Sequence, residues 1–117
     1  MRYFVLDNDH TMVEVHESNL EVWQLWMKRN IPERFVGRME IWEDYLVSTV
    51  FMGNTEHDFD PDPFLTAVFA QGKKEPVYTC RWPSWEAATL GHREIVVRTF
   101  TRWVIEREHG GYPLSEK

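Results

Sequence analysis

The chain has 117 residues, one domain's worth, with 43% hydrophobic and 27% charged residues, a composition that excludes a disordered chain, a collagen-like repeat and a membrane protein. Lys plus Arg number 13 against 19 Asp plus Glu, a formal net charge of −6. A protein that grips a nucleic-acid backbone needs a positive face, so direct nucleic-acid binding is not expected.

Arg2 to Leu6 is β-branched and aromatic, Asp7-Asn8-Asp9-His10 is a turn cluster, and Thr11 to His16 partly alternates. Together they predict a β-hairpin. Ser18-Asn19-Leu20-Glu21 has the spacing of a capping box, in which the Ser18 hydroxyl bonds the Glu21 amide. A helix to about Arg29 follows, stopped by Asn30 and Pro32. Leu20, Val22, Trp23, Leu25, Trp26 and Met27 nearly surround that helix with apolar surface, which predicts burial on more than one side. In so small a domain the second side is a second copy of the chain, with Trp23 and Trp26 in a homodimer interface.

Strands are predicted at 34–41 and 45–52, joined at Trp42-Glu43-Asp44. The second is apolar on both alternating sets apart from Ser48 and Thr49, as a strand covered on both faces would be. Gly53 to Pro63 reads as a loop, since Pro61 and Pro63 cannot donate to a ladder. Strands at 64–71 and 77–82 flank the turn Gly72 to Pro76. Pro83 ends the last strand, and Ser84 caps a long helix from Trp85 to about Glu106. Its stripe is Ala88, His92, Ile95, Thr99 and Trp103. The tail 110–117 is expected to fray. The order β-β-α-β-β-β-β-α predicts an α+β domain, an antiparallel meander with two helices on one face.

Cys80 is the only cysteine, so no intrachain disulfide is possible, and a mid-strand position suggests a buried, inert thiol. No apolar run reaches the roughly 18 residues of a spanning helix, and residues 1–10 have no signal-peptide core. The expected compartment is the cytoplasm, with no membrane partner.

The loop Glu56-His57-Asp58-Phe59-Asp60-Pro61-Asp62 gathers the most metal-ligand types. Alternating Asp58, Asp60 and Asp62 resemble the opening of a calcium loop, but Pro63 and Phe69 stand where its glycine and bidentate glutamate belong. The plain reading is a solvated acidic loop. No paired-histidine zinc motif, nucleophile elbow or phosphate-binding glycine loop occurs. His92 lies on an apolar stripe, where a hydrogen-bonded core histidine is commoner than a ligand. Arg93, Arg98, Arg102 and Arg107 lie among Glu94, Glu106 and Glu108 as a salt-bridged face. No cofactor is expected.

Tyr3-Phe4-Val5-Leu6-Asp7, Val47 to Gly53, His57 with Phe59, Thr66-Ala67-Val68-Phe69, and Ser84-Trp85-Glu86-Ala87 with Gly91-His92 resemble, in order and spacing, a group of small proteins of tailed phages and prophages. The tryptophan-rich first helix and the Pro-Asp-Pro loop depart from that group's pattern. The resemblance implies an accessory protein acting on or beside a host system, and carries over no activity.

Three functions follow as expectations. The first is a non-enzymatic binding protein that sequesters a small anionic ligand or blocks a host protein. The second is a metal-assisted hydrolase using His57, Asp58 and His92. The third is an acidic mimic of nucleic acid. For the first, counting strand reversals brings the Gly53–Pro63 loop and the Trp82–Trp85 corner to one end of the sheet. His57, Phe59, Trp82, Ser84 and Trp85 then form the candidate surface, with His92 behind them, and the start of the second helix faces the ligand.

Overall fold

Two antiparallel sheets share the strands. The computed structural model describes residues 1–55 and 61–108. β1 (Arg2–Leu6) pairs with β2 (Met12–Val15) as the predicted hairpin. Its turn is held by Asp7, whose Oδ1 accepts from the amides of Asp9 (2.8 Å) and Thr11 (3.0 Å). This is the local side-chain bond that makes aspartate a turn residue. α1 spans Leu20–Arg29. Then come β3 (Phe35–Ile41), β4 (Tyr45–Phe51), a two-residue β5 (Asn54–Thr55), β6 (Phe64–Ala70), β7 (Tyr78–Trp82) and α2 (Trp85–Glu108).

The α+β class and the antiparallel order stand as read from the sequence. The single meander does not: β3-β4-β6-β7 form one sheet, and β2-β1-β5 form another. Gly53 is the joint. Its φ of +79° turns the chain out of β4, and β5 then pairs with β1. The Gly53 carbonyl accepts from the Phe4 amide (2.8 Å) and from Trp23 Nε1 (3.0 Å). A Cβ there would lie 2.7 Å from the Met27 sulfur, so both the backbone angle and the space require glycine.

α2 lies across one face of the four-stranded sheet. Buried Tyr45, Val47, Thr49 and Phe51 of β4 alternate with half-buried Leu46, Ser48 and Val50. β4 is thus fully covered on one face only, against expectation. Its outward Leu46 and Val50 are also apolar, which hid the period of two. Two apolar clusters fill the interior. Phe4, Leu6, Phe51, Phe64 and Ala88 form one, joined by Trp26, Met27 and Trp85. Ile41, Tyr45, Val47, Val68 and Ile95 form the other, joined by Trp103. Trp26 meets Phe51 edge-on (5.8 Å), so α1 reaches the same face that α2 covers.

The capping box does not form. Ser18 belongs to a 3-10 turn, Glu17–Asn19, and its hydroxyl and amide both meet Nδ1 of His16 (2.8 and 3.1 Å). Asn19 takes the cap position without a side-chain bond. Cys80 is half-buried on edge strand β7, not fully buried. Trp23 and Trp26 face the chain's own interior. Trp23 Nε1 donates to the carbonyls of Phe4 (3.1 Å) and Gly53, and its ring meets Tyr3 edge-on at 4.9 Å. The apolar groups that α1 leaves outside are Val22 and Leu25. No helix among the described residues is long and apolar enough to cross a membrane.

Candidate functional site

Register sets the corner. Phe51 of β4 is level with Phe64 of β6, and Phe64 with Trp82 of β7, so β4 and β7 run the same way and end together. The Arg81 guanidinium donates to the Asp62 carbonyl (3.2 Å), tying the end of β7 to the chain leading into β6. The predicted convergence of the two connections is therefore present. His57, Phe59 and Asp58 lie outside the described residues.

Ser84 caps α2 as expected, its Oγ accepting from the Ala87 amide at 3.1 Å. Trp85, in the first turn, packs edge-on to Phe64 (6.2 Å). Its other contact was not foreseen. The His10 ring, from the turn of the first hairpin, lies parallel on the Trp85 indole, centroids 3.7 Å apart and planes 4° apart. His10 has φ +64°, uncommon for a residue with a side chain, and the Asp7 turn holds it there. An open cleft of about 330 Å³ runs beside this pair, lined by Asp9, His10, Thr11, Met12, Ser84, Trp85 and Glu86. Nothing local in the sequence places His10 near Trp85, since the contact depends on how the two sheets meet.

Trp82 and His92 turn inward and serve a different purpose. Trp82 Nε1 donates to Thr66 Oγ1 (2.9 Å), Thr66 Oγ1 meets Thr49 Oγ1 (2.6 Å), and Thr49 Oγ1 meets His92 Nδ1 (2.7 Å). The indole can only donate. If each threonine hydroxyl passes its proton onward, every group in the chain is used once, and His92 Nδ1 is an acceptor with its proton on Nε2. Burial holds the His92 imidazole below its usual pKa, which favours this neutral form. The two apolar clusters are thus separated by a satisfied polar layer.

Two glycines make room for it. A Cβ on Gly91 would fall 2.2 Å from the Trp82 ring, and one on Gly37 would fall 2.5 Å from His92 Nε2. The Gly91-His92 pair therefore locks α2 onto the sheet. For the hydrolase reading, His92 would have to offer Nε2 to the metal while Nδ1 stays on Thr49 Oγ1. Among the described residues no three His, Cys, Asp or Glu side chains gather to hold one.

A second polar set joins the other end of α2 to the β3–β4 turn. Asp44 Oδ2 accepts from Trp103 Nε1 (2.6 Å) and from the Arg107 guanidinium (2.7 Å). Those two bonds, the indole's first, hold the Asp44 carboxyl below the usual range. Tyr45 donates to the buried Glu106 carboxylate, 2.9 Å from Oε1, and Arg102 Nε donates to Glu106 Oε2 (3.3 Å). Burial, followed by the Glu106 contact, raises the Tyr45 pKa. The sequence places Asp44 in a strand connection and Arg102, Glu106 and Arg107 on a salt-bridged face, and shows neither the Trp103 nor the Tyr45 contact. No family model, curated protein or solved structure matches the chain.

Proposed function

We propose that the protein works by binding a partner protein, with the corner between the first hairpin turn and the start of α2 as its recognition surface. The observation that carries this is the His10–Trp85 stack in the wall of an open cleft. The pair is pre-ordered, His10 by its turn and Trp85 by Phe64, so little side-chain freedom is lost when a partner seats on it. The positive end of α2 favours an anionic group there. Asp9 and Glu86 in the same cleft oppose one, and so weigh for a protein surface over a small anion. If the resemblance to phage proteins is followed, the partner is a host protein in the cytoplasm.

The acidic-mimic reading is weakened because Glu14, Glu40, Glu94 and Asp44 each meet an arginine. Homodimer formation belongs to the proposal too. It would use Val22 and Leu25 on the outer side of α1, in place of the inward-facing Trp23 and Trp26. Light scattering at high micromolar concentration tests it.

The corner is tested by capture from host lysate with the immobilised chain, comparing wild type with His10→Ala and Trp85→Ala. Loss of the captured protein in both variants, with unchanged circular dichroism, supports the assignment. Because Trp85 also packs on Phe64, His10→Ala is the cleaner arm. Equal capture by a folded His10→Ala protein overturns it.

A further inference from the structure

The end of the sheet opposite the corner carries an independent surface, one β4 length away, about 20 Å for seven residues at the usual rise. Trp42 sits in the β3–β4 turn at φ +50°. One face of its indole is stacked on Trp103, centroids 4.3 Å apart and planes 13° apart. Phe100 lies beside it at 6.3 Å, and the residue nevertheless remains 63% exposed, so most of its surface away from Trp103 is open to solvent. Beside it lies a cleft of about 360 Å³ with Leu46 and Phe69 among its apolar lining and Glu40 and Glu43 among its polar lining. Among the described residues no Lys or Arg lines the cleft. Glu40 meets Arg38 at 3.2 Å on the exposed edge strand, and Glu43 has no ion-pair partner among the described residues.

The same chain holds a guanidinium between a carboxylate and a ring three times, once as Arg2 between Glu14 and Phe4 and twice at this end of the molecule. Arg107 donates to Asp44 while lying over the Trp103 ring, 5.0 Å from its centroid. Arg102 pairs with Glu106 while lying over the Tyr45 ring at 5.5 Å. Trp42 with Glu43 repeats the ring and the carboxylate, and among the described residues neither meets a cation.

We propose that the Trp42 cleft docks an arginine side chain carried on a peptide segment of a partner protein. The guanidinium stacks on the open indole face, where cation–π attraction is greatest among the aromatic residues. It also donates to Glu43, using the planar fork that an ammonium lacks. Leu46 and Phe69 give an apolar neighbour in the peptide a place to rest. The net charge of −6 draws a basic segment in.

The test is an NMR titration of the full, ¹⁵N-labelled chain with the blocked tripeptide acetyl-Leu-Arg-Leu-amide at low ionic strength. Its lysine and citrulline counterparts are run beside it. The Trp42 indole resonance, identified by its absence in Trp42→Asn, is expected to shift saturably with the arginine peptide. The neutral citrulline peptide and the Trp42→Asn protein are each expected to bind about tenfold more weakly. Glu43→Gln is expected to bind about threefold more weakly, with melting temperature unchanged. Asparagine tolerates a left-handed φ, and Glu43→Gln decides the matter if Trp42→Asn fails to fold. Equal binding of the citrulline peptide, or a shift confined to the His10–Trp85 corner, overturns the proposal. Equal binding of the lysine peptide overturns the choice of arginine.

Discussion

Thr49 is the group on which the interior polar layer depends, and replacing it with valine isolates the contribution of that layer. Valine keeps the shape and removes one hydroxyl, which breaks the contacts to Thr66 (2.6 Å) and His92 (2.7 Å). The two losses are unequal. Thr66 is fully buried and its hydroxyl proton has no second acceptor in the chain of bonds, whereas half-buried His92 can turn toward water. A buried polar group left without a partner costs about 1–3 kcal/mol, and a lost bond whose partner finds water costs about 1. The extra methyl returns about 0.8 kcal/mol. The expected net loss is about 2 kcal/mol. At an unfolding entropy of about 2.1 cal/mol/K per residue over 117 residues, that lowers the melting temperature by about 8 °C. Denaturant unfolding followed by tryptophan fluorescence measures it. Ser48→Ala, one residue away on the outward face, serves as control and should change stability by less than about 0.5 kcal/mol. Thr49→Ser keeps the hydroxyl and should cost about 1 kcal/mol, the worth of a methyl group. A Thr49→Val protein as stable as wild type, or one more stable than Thr49→Ser, would refute the reasoning.

Three further outcomes follow from the same packing. His92 has a folded pKa below the ordinary 6.5, so the unfolded chain takes up the proton first. Its contribution to stability is present above pH 6.5 and lost as pH falls from there through the folded value, and unfolding at pH 7.5 and 5.5 should show a smaller drop in His92→Gln than in wild type. Gly91→Ala drives a Cβ to 2.2 Å from the Trp82 ring and should cost about 2–3 kcal/mol, read as a lower denaturation midpoint with loss of the near-ultraviolet tryptophan signal. Trp23→Phe keeps an aromatic ring against Tyr3 but removes the N–H shared by the Phe4 and Gly53 carbonyls. It should cost about 1–2 kcal/mol independently of protein concentration, since both partners lie within one chain.

Much of the element order was legible because hydrophobic period and punctuation are local signals. The hairpin, both helices and strands 3, 4, 6 and 7 fall within a few residues of where alternation, Pro83 and the Ser84 cap put them. The corner was legible too, because counting reversals in an antiparallel sheet fixes which ends meet. What failed depended, with one exception, on distant partners. β5 is two residues long and pairs with β1, some fifty positions earlier, so no periodicity could reveal it. The capping box lost Ser18 to His16, a competing bond of the same local kind. Asp44 reads as part of a turn and Glu106 as part of a salt-bridged face, and only the fold brings Trp103, Arg107 and Tyr45 to them from about sixty residues away.

The tryptophans bear on what the surface is for. Each aromatic carries roughly 150–250 Å² of surface, so six in a small domain demand either a bulky core or an interface. The chain does both. Trp23, Trp82 and Trp103 bury much of their rings and place their N–H groups on Phe4 and Gly53, on Thr66 and on Asp44. Trp26 packs on Phe51. These four need no partner outside the chain. Trp85 is packed on one side and stacked under His10 on the other. Trp42 is held in a strained turn with most of its surface in water. Burying Trp42 within the chain would gain hydrophobic stabilisation, and a smaller residue would relieve the turn. Stacking on Trp103 gives folding a use for one face of the ring, and the exposed remainder fits the proposed anchor for a partner's side chain, since large rings pre-ordered by stacking lose little freedom on binding. Carboxylates line the cleft beside Trp42, which suits the arginine proposed there, whereas at Trp85 they are opposed by the positive end of α2.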